Sequence, residues 1–137
     1  MNKVLLGLGS NLKCPERQIR QALNALKALP HTNLLDYAPY YHNPPWGRKG
    51  QPSYLNTVVL LKTRLTPFML LRHCQSIENA QGRVRTIKWG ARTLDIDILV
   101  YGKRHIRHPK LIIPHPYIQY RDFVYKPMNV LLSRNIL

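Results

Sequence analysis

The sequence is short of carboxylates: six aspartates and glutamates stand against twenty-one lysines and arginines, for a formal net charge of +15. A surface of that sign draws anions, nucleotide phosphates and nucleic acid alike, without choosing between them. Cysteine is scarcer still. Cys14 and Cys74 are two residues far apart in the chain, which suggests neither a disulfide framework nor a zinc ligand set. No apolar run approaches the roughly 20 residues that a membrane-spanning helix needs. The opening Met1-Asn2-Lys3-Val4-Leu5-Leu6-Gly7-Leu8-Gly9 is not followed by the small-residue cleavage pattern of a signal peptide. A reducing, cytoplasmic location is therefore expected. A Walker P-loop is also missing, and Gly7-Leu8-Gly9-Ser10-Asn11-Leu12 gives half of a dinucleotide fingerprint without its third glycine.

What is present fits one domain over residues 1–137, a length at which roughly two-thirds of the unfolded surface can be buried. Val4 to Leu8 reads as a buried strand. Pro15 suits the first position of a helix whose Ile19, Ala22, Leu23, Leu26 and Leu29 recur at three- and four-residue steps until Pro30. Leu34 to Tyr41 reads as a second strand, and residues 43–52 are too rich in Pro and Gly for regular structure. Tyr54 to Thr63 is a third strand with a continuous apolar run. Thr66-Pro67 opens a second helix with Leu71, Cys74 and Ile77 on its apolar stripe and Gly82 placed to end it. A basic loop, Arg83 to Ala91, leads to a fourth strand at Thr93 to Tyr101. Beyond it come a basic turn, the short apolar Leu111-Ile112-Ile113, Pro114-His115-Pro116 and a tail with little long periodicity. The order predicts an α+β, ferredoxin-like βαββαβ fold: an antiparallel sheet with helices packed on one face.

The fourth strand reads "RTLDIDILVY" from Arg92 to Tyr101. Period-two geometry turns Asp95 and Asp97 to one face and Leu94, Ile96, Ile98 and Val100 to the other. At a spacing of roughly 6.5 Å and an effective dielectric near 20, the two charges repel by about 2.5 kcal/mol. Arginines forming a structural ion-pair network would neutralise them. So would hard divalent cations such as Mg²⁺, which commonly take one or two carboxylates together with substrate phosphates. The neighbouring Arg83, Arg85, Lys88 and Arg92 favour the second solution, as phosphate ligands brought up beside a metal.

Gly9-Ser10-Asn11, Asn43-Pro44-Pro45-Trp46-Gly47, Gln51-Pro52-Ser53-Tyr54-Leu55-Asn56, Ile77-Glu78 with Gly82-Arg83-Val84-Arg85, Trp89 to Ile98 and Ile113-Pro114-His115-Pro116 occur in this order. Together they resemble the 6-hydroxymethyl-7,8-dihydropterin pyrophosphokinases of folate biosynthesis, over nearly the whole chain from about Val4 to Phe123. The resemblance implies transfer of pyrophosphate from ATP to the hydroxymethyl oxygen of a reduced pterin, leaving AMP. It implies two Mg²⁺ ions on Asp95 and Asp97. Tyr54 and Phe123 would sandwich the pterin, Asn56 would bond its edge, and Asn43, Pro44 and Trp46 would complete that pocket. Arg83 and Arg92 would position and stabilise the transferred phosphates. Gln75, Arg85, Lys88, Trp89, Ile98 and His115 would hold ATP. The expected partners are small molecules, with no membrane, no nucleic acid and a monomeric chain.

An RNA-binding module shares the sheet topology and suits the charge. That reading expects aromatics on the central strands in the pattern Gly-Phe/Tyr-Gly-Phe-Val, which this sequence lacks, and it sets two carboxylates on the face RNA would use.

Overall fold

The structure, a computed structural model, describes residues 1–11, 14–43, 54–82 and 94–135. Its sheet is built from β1 (Asn2–Ser10), β2 (Thr32–Tyr37), β3 (Tyr41–Asn43), β4 (Tyr54–Thr63) and β5 (Asp95–Tyr101) in the order β2-β4-β1-β5. Every pairing is antiparallel. β2 and β3 lie along successive halves of β4, so the edge strand expected over Leu34 to Tyr41 is divided by Ala38-Pro39-Tyr40. Pro39 has no N–H to give to a ladder, while the Ala38 N–H still donates to the Val58 carbonyl at 2.9 Å.

Two helices, α1 (Pro15–Lys27) and α2 (Pro67–Ala80), cover one face. Both begin with proline, whose missing N–H costs nothing in the first turn. The Thr66 side chain accepts a bond from the Met69 N–H at 3.3 Å. α2 stops before Gly82, whose φ of +84 is one that few side-chain-bearing residues adopt. Ile19, Ala22, Leu23 and Leu26 of α1 meet Leu70, Cys74 and Ile77 of α2 over Val4, Leu6, Leu8, Leu55, Val59, Leu61, Ile96 and Ile98. The buried stripe of α2 is centred on Leu70; Leu71, expected there, is only partly buried.

The opposite face carries an element that the sequence reading left as tail. α3 (Asp122–Arg134) lays Val124 and Leu131 over Leu5, Val58, Leu60 and Leu99. Its buried positions, Val124, Pro127 and Leu131, do follow helical spacing. One of them is a proline inside the helix, ordinarily a breaker, and that masks the period. The two expected helices thus share one face, and a third covers part of the other.

β5 is an outer strand, followed by a hairpin of β6 (Ile106–His108) and β7 (Leu111–Ile113). Pairing with β1 is interrupted between Leu6–Ile98 and Leu5–Val100, which leaves Leu99 as an extra residue. This bulge corrects one expectation: Val100, read as a neighbour of Ile98, packs with Leu99 against the second core.

Candidate active site

The alternation of β1 puts Val4, Leu6 and Leu8 into the first core and turns Leu5, Gly7 and Gly9 to the other face. Strand pairing then sets two rows across β4, β1 and β5. Asn56, Gly9 and Asp95 form one, and Val58, Gly7 and Asp97 the next. In both rows the middle residue has no side chain, so a trough floored by backbone runs between β4 and β5. A Cβ on Gly9 would lie 2.7 Å from the Asn56 Oδ1, closer than such atoms come without something shifting. A Cβ on Gly7 would meet the Leu99 methyls at 3.5 Å, an ordinary contact. α3 closes the face over Val58 and Leu99.

Asp95 is half-buried and Asp97 exposed, whereas Leu94, Ile96 and Ile98 belong to the first core. The division of β5 into an apolar face and an acidic face is as its alternation predicts. Among the described residues no group of three or more His, Cys, Asp or Glu is placed to hold a metal. Two carboxylates beside an open floor nonetheless fit Mg²⁺, a hard ion that leaves several positions to water and substrate phosphate. The Cys74 thiol on α2 is pushed up to about 12, by burial first and then by the nearby Glu78 and Asp97 charges. It stays protonated and is no nucleophile.

One side of the trough is formed by the segment after β7. The His115 N–H donates to the Leu99 carbonyl at 2.8 Å, tying this segment to the outer edge of β5. The His115 Nδ1 accepts from the Tyr117 N–H at 3.2 Å, which leaves the ring's proton on Nε2. Burial holds this imidazole below its ordinary range; the Asp97 charge opposes that shift and the Arg121 charge adds to it. The Arg121 guanidinium lies 5.1 Å from the centre of the Tyr117 ring and 5.6 Å from that of Phe123, within cation–π range.

The structure therefore collects Asp95, Asp97, Asn56 and Tyr54 on one face of the sheet, with Phe123 in the first turn of α3 packed against the core of that face. Asn43 ends β3 opposite Tyr54. Asn56 is 5% exposed, and its Nδ2 has no hydrogen-bond partner among the described residues. Ile98 lies in the first core, and Gln75 is exposed on α2 one helical turn before the buried Glu78. Pro44, Trp46, Arg83, Arg85, Lys88, Trp89 and Arg92 lie outside the described residues.

Sequence reasoning missed Arg121, which nothing in its local pattern distinguishes, and the part played by Gly7 and Gly9. Two glycines at alternate positions of a buried strand were a usable signal, because glycine there marks a close approach to backbone.

Residues 5–133 match the family model described as 7,8-dihydro-6-hydroxymethylpterin-pyrophosphokinase. A Haemophilus influenzae protein named 2-amino-4-hydroxy-6-hydroxymethyldihydropteridine pyrophosphokinase is 43% identical over 132 residues, covering 96% of this chain and 82% of that protein. A Pseudomonas aeruginosa protein of the same name is 44% identical over 128 residues, 93% of this chain and 79% of its own. In Schizosaccharomyces pombe, the folic acid synthesis protein fol1 is 41% identical over 131 residues, 95% of this chain but 18% of that much longer protein. With this match running through both rows of the trough and on through most of α3, the chain belongs to the 7,8-dihydro-6-hydroxymethylpterin-pyrophosphokinase family.

Proposed function

We propose that Asp95 and Asp97 hold two Mg²⁺ ions against the phosphates of ATP, while Tyr54, Asn56 and Phe123 hold a reduced pterin at the neighbouring end of the trough. The reaction is that of the family: pyrophosphate passes from ATP to the hydroxymethyl group of 6-hydroxymethyl-7,8-dihydropterin, giving AMP and the pterin diphosphate, in folate biosynthesis. The observation that carries the site is the pairing of two same-face carboxylates with two glycines across β1 and β5.

Phosphoryl transfer asks a protein for in-line placement and dispersal of charge more than for covalent help. Bound magnesium would supply the positive charge that accumulates on no side chain of the trough floor. The chain's own residues do the rest. Asn56 offers its unpartnered Nδ2 donor to the pterin edge, with its Oδ1 beside Gly9. Phe123 gives a flat apolar surface for one ring face and Tyr54, along the sheet from Asn56, the other. Asn43, Pro44 and Trp46 finish that pocket.

The nucleotide lies along the outer edge of β5. Ile96 turns its N–H to that edge, and the two-residue period turns the Ile98 N–H and C=O the same way, where a flat base with donors and acceptors is recognised as a strand would be. Gln75 approaches from α2 and the His115 Nε2–H from the other end. Arg83 and Arg92 position the transferred phosphates, and Arg85, Lys88 and Trp89 hold the rest of ATP. Each charge-assisted bond contributes about 1.5 to 3 kcal/mol. We read residues 1–137 as one pyrophosphokinase domain, acting as a cytoplasmic monomer on small molecules.

The test incubates the protein with ATP, Mg²⁺ and the hydroxymethyl pterin and resolves the nucleotides. AMP formed only with pterin present is expected; ADP, or turnover independent of pterin, overturns the reading. Calorimetry with a non-hydrolysable ATP analogue and Mg²⁺ then addresses the metal site. Asp97→Ala should weaken binding by about a hundredfold or more, and unchanged affinity would remove Asp97 from the metal.

A further inference from the structure

Glu78 is the acid that the site as described leaves without a task. It lies on α2, 4% exposed, and its Oε2 accepts the Ile96 N–H at 2.9 Å. Ile96 is the residue between Asp95 and Asp97. Its N–H belongs to the peptide that joins it to Asp95, and this peptide cannot turn without turning the backbone that aims both carboxylates. On the opposite edge of β5 the pairing of Gly9 with Asp95 and of Gly7 with Asp97 fixes the strand to β1. Among the described residues the outer edge has no further strand of the sheet to do the same. There the His115 N–H holds the Leu99 carbonyl beyond the acids, and Glu78 holds the peptide between them.

A buried carboxylate costs several kcal/mol of lost hydration unless it is bonded. An uncharged acceptor would satisfy one N–H at lower cost. The glutamate earns its place through length, since its carboxylate extends far enough from α2 to meet the Ile96 N–H at 2.9 Å. It also comes from a helix anchored in the first core by Leu70, Cys74 and Ile77, so the acceptor has a rigid support. Partners that orient metal ligands from outside typically change metal affinity by about 10- to 100-fold when removed.

We propose that Glu78 is a positioning residue for the metal-binding pair: by reach more than by charge, its carboxylate fixes the Asp95–Ile96 peptide and thereby the spacing and direction of the Asp95 and Asp97 carboxylates. This rests on the reading that those two acids hold the metal. In this role Glu78 acts through the Ile96 peptide.

Reach and charge are separated by two substitutions. Glu78→Gln keeps the length and an acceptor oxygen but loses the charge. Glu78→Asp keeps the charge but withdraws it by one methylene from the Ile96 N–H. Mn²⁺ binding in the presence of a non-hydrolysable ATP analogue is followed by electron paramagnetic resonance, beside the Mg²⁺ concentration for half-maximal activity and the thermal midpoint of the free protein. The expected result is that Glu78→Asp weakens Mn²⁺ binding about tenfold and raises the Mg²⁺ requirement in step, with Glu78→Gln within about threefold of the parent.

Metal affinity unchanged in Glu78→Asp while the midpoint falls would mean a purely structural carboxylate and overturn the proposal. So would a Gln variant more impaired than the Asp variant, which would make charge the property that matters. Asp97→Ala in the same measurement keeps the two readings apart. If it too leaves Mn²⁺ binding unchanged, the metal assignment itself has failed; if it abolishes binding while Glu78→Asp does not alter it, only the role of Glu78 has.

Discussion

The two faces of the sheet are made from the same strands and put to opposite uses. Towards α1 and α2, each of the central strands sends large aliphatic side chains, and the layer is filled from Val4 to Leu8 and from Leu55 to Leu61. Towards α3 the same strands send Leu5, Val58, Leu60 and Leu99 at one end and two glycines, an asparagine and two aspartates at the other. One face is closed along its length and contributes stability. The other is closed by α3 at one end, and the remainder is polar, running from the buried Asn56 and Gly9 to the exposed Asp97. Side-chain alternation allows this division, because neighbouring residues on one strand answer to different environments.

The contrast is broken most strongly from the filled side. Leu26→Ala should cost about 3 to 4 kcal/mol in urea-induced unfolding, since its fully buried site is walled by two helices and the sheet and cannot collapse. Activity per folded molecule should hardly change. Leu131→Ala, in the smaller cluster under α3, should cost nearer 2 kcal/mol. Equal losses would show that the two faces share the stability evenly.

On the open side, Gly9→Ala should displace Asn56 and raise the KM for pterin about tenfold, with a smaller change in that for ATP, as the loss of one buried hydrogen bond predicts. An unchanged pterin KM would mean that the trough does not need its bare floor. The smallest effect concerns His115. Its depressed pKa makes the folded protein take up this proton less readily than the unfolded chain, so its contribution to stability falls as pH drops through the ordinary histidine range towards the folded value. Arg121→Ala should move the His115 resonance titration upwards and Asp97→Asn downwards in NMR, each by less than about one pH unit. A shift of the opposite sign in either would separate that charge from the imidazole.

Much of this architecture was legible in the sequence because it rests on local rules. Proline-opened helices, the glycine after α2 and the alternation through Asp95 and Asp97 each depend on a few adjacent residues. The misses have non-local causes. Pro127 is tolerated in α3 because tertiary packing holds the helix there, and no local signal reports that support. The bulge at Leu99 depends on how β1 and β5 meet across the sheet, so Val100 was assigned to the wrong face. The candidate site was legible as residue types on β4 and β5 but not as a surface. Gly7 and Gly9 acquire their meaning only when register sets them between Asn56, Val58 and the two acids.

The outer edge of β5 also bears on self-association. A bare edge strand is a template on which another chain can add itself, and proteins that fail to obstruct such edges aggregate. Here the obstruction comes from the Glu78 carboxylate at one peptide and the His115 backbone at another, with the hairpin of β6 and β7 alongside. The contacts that hold β5 on either side of Asp97 thereby also keep the strand from recruiting a neighbour's, and a nucleotide on the interval between them would act as a solubilising cap.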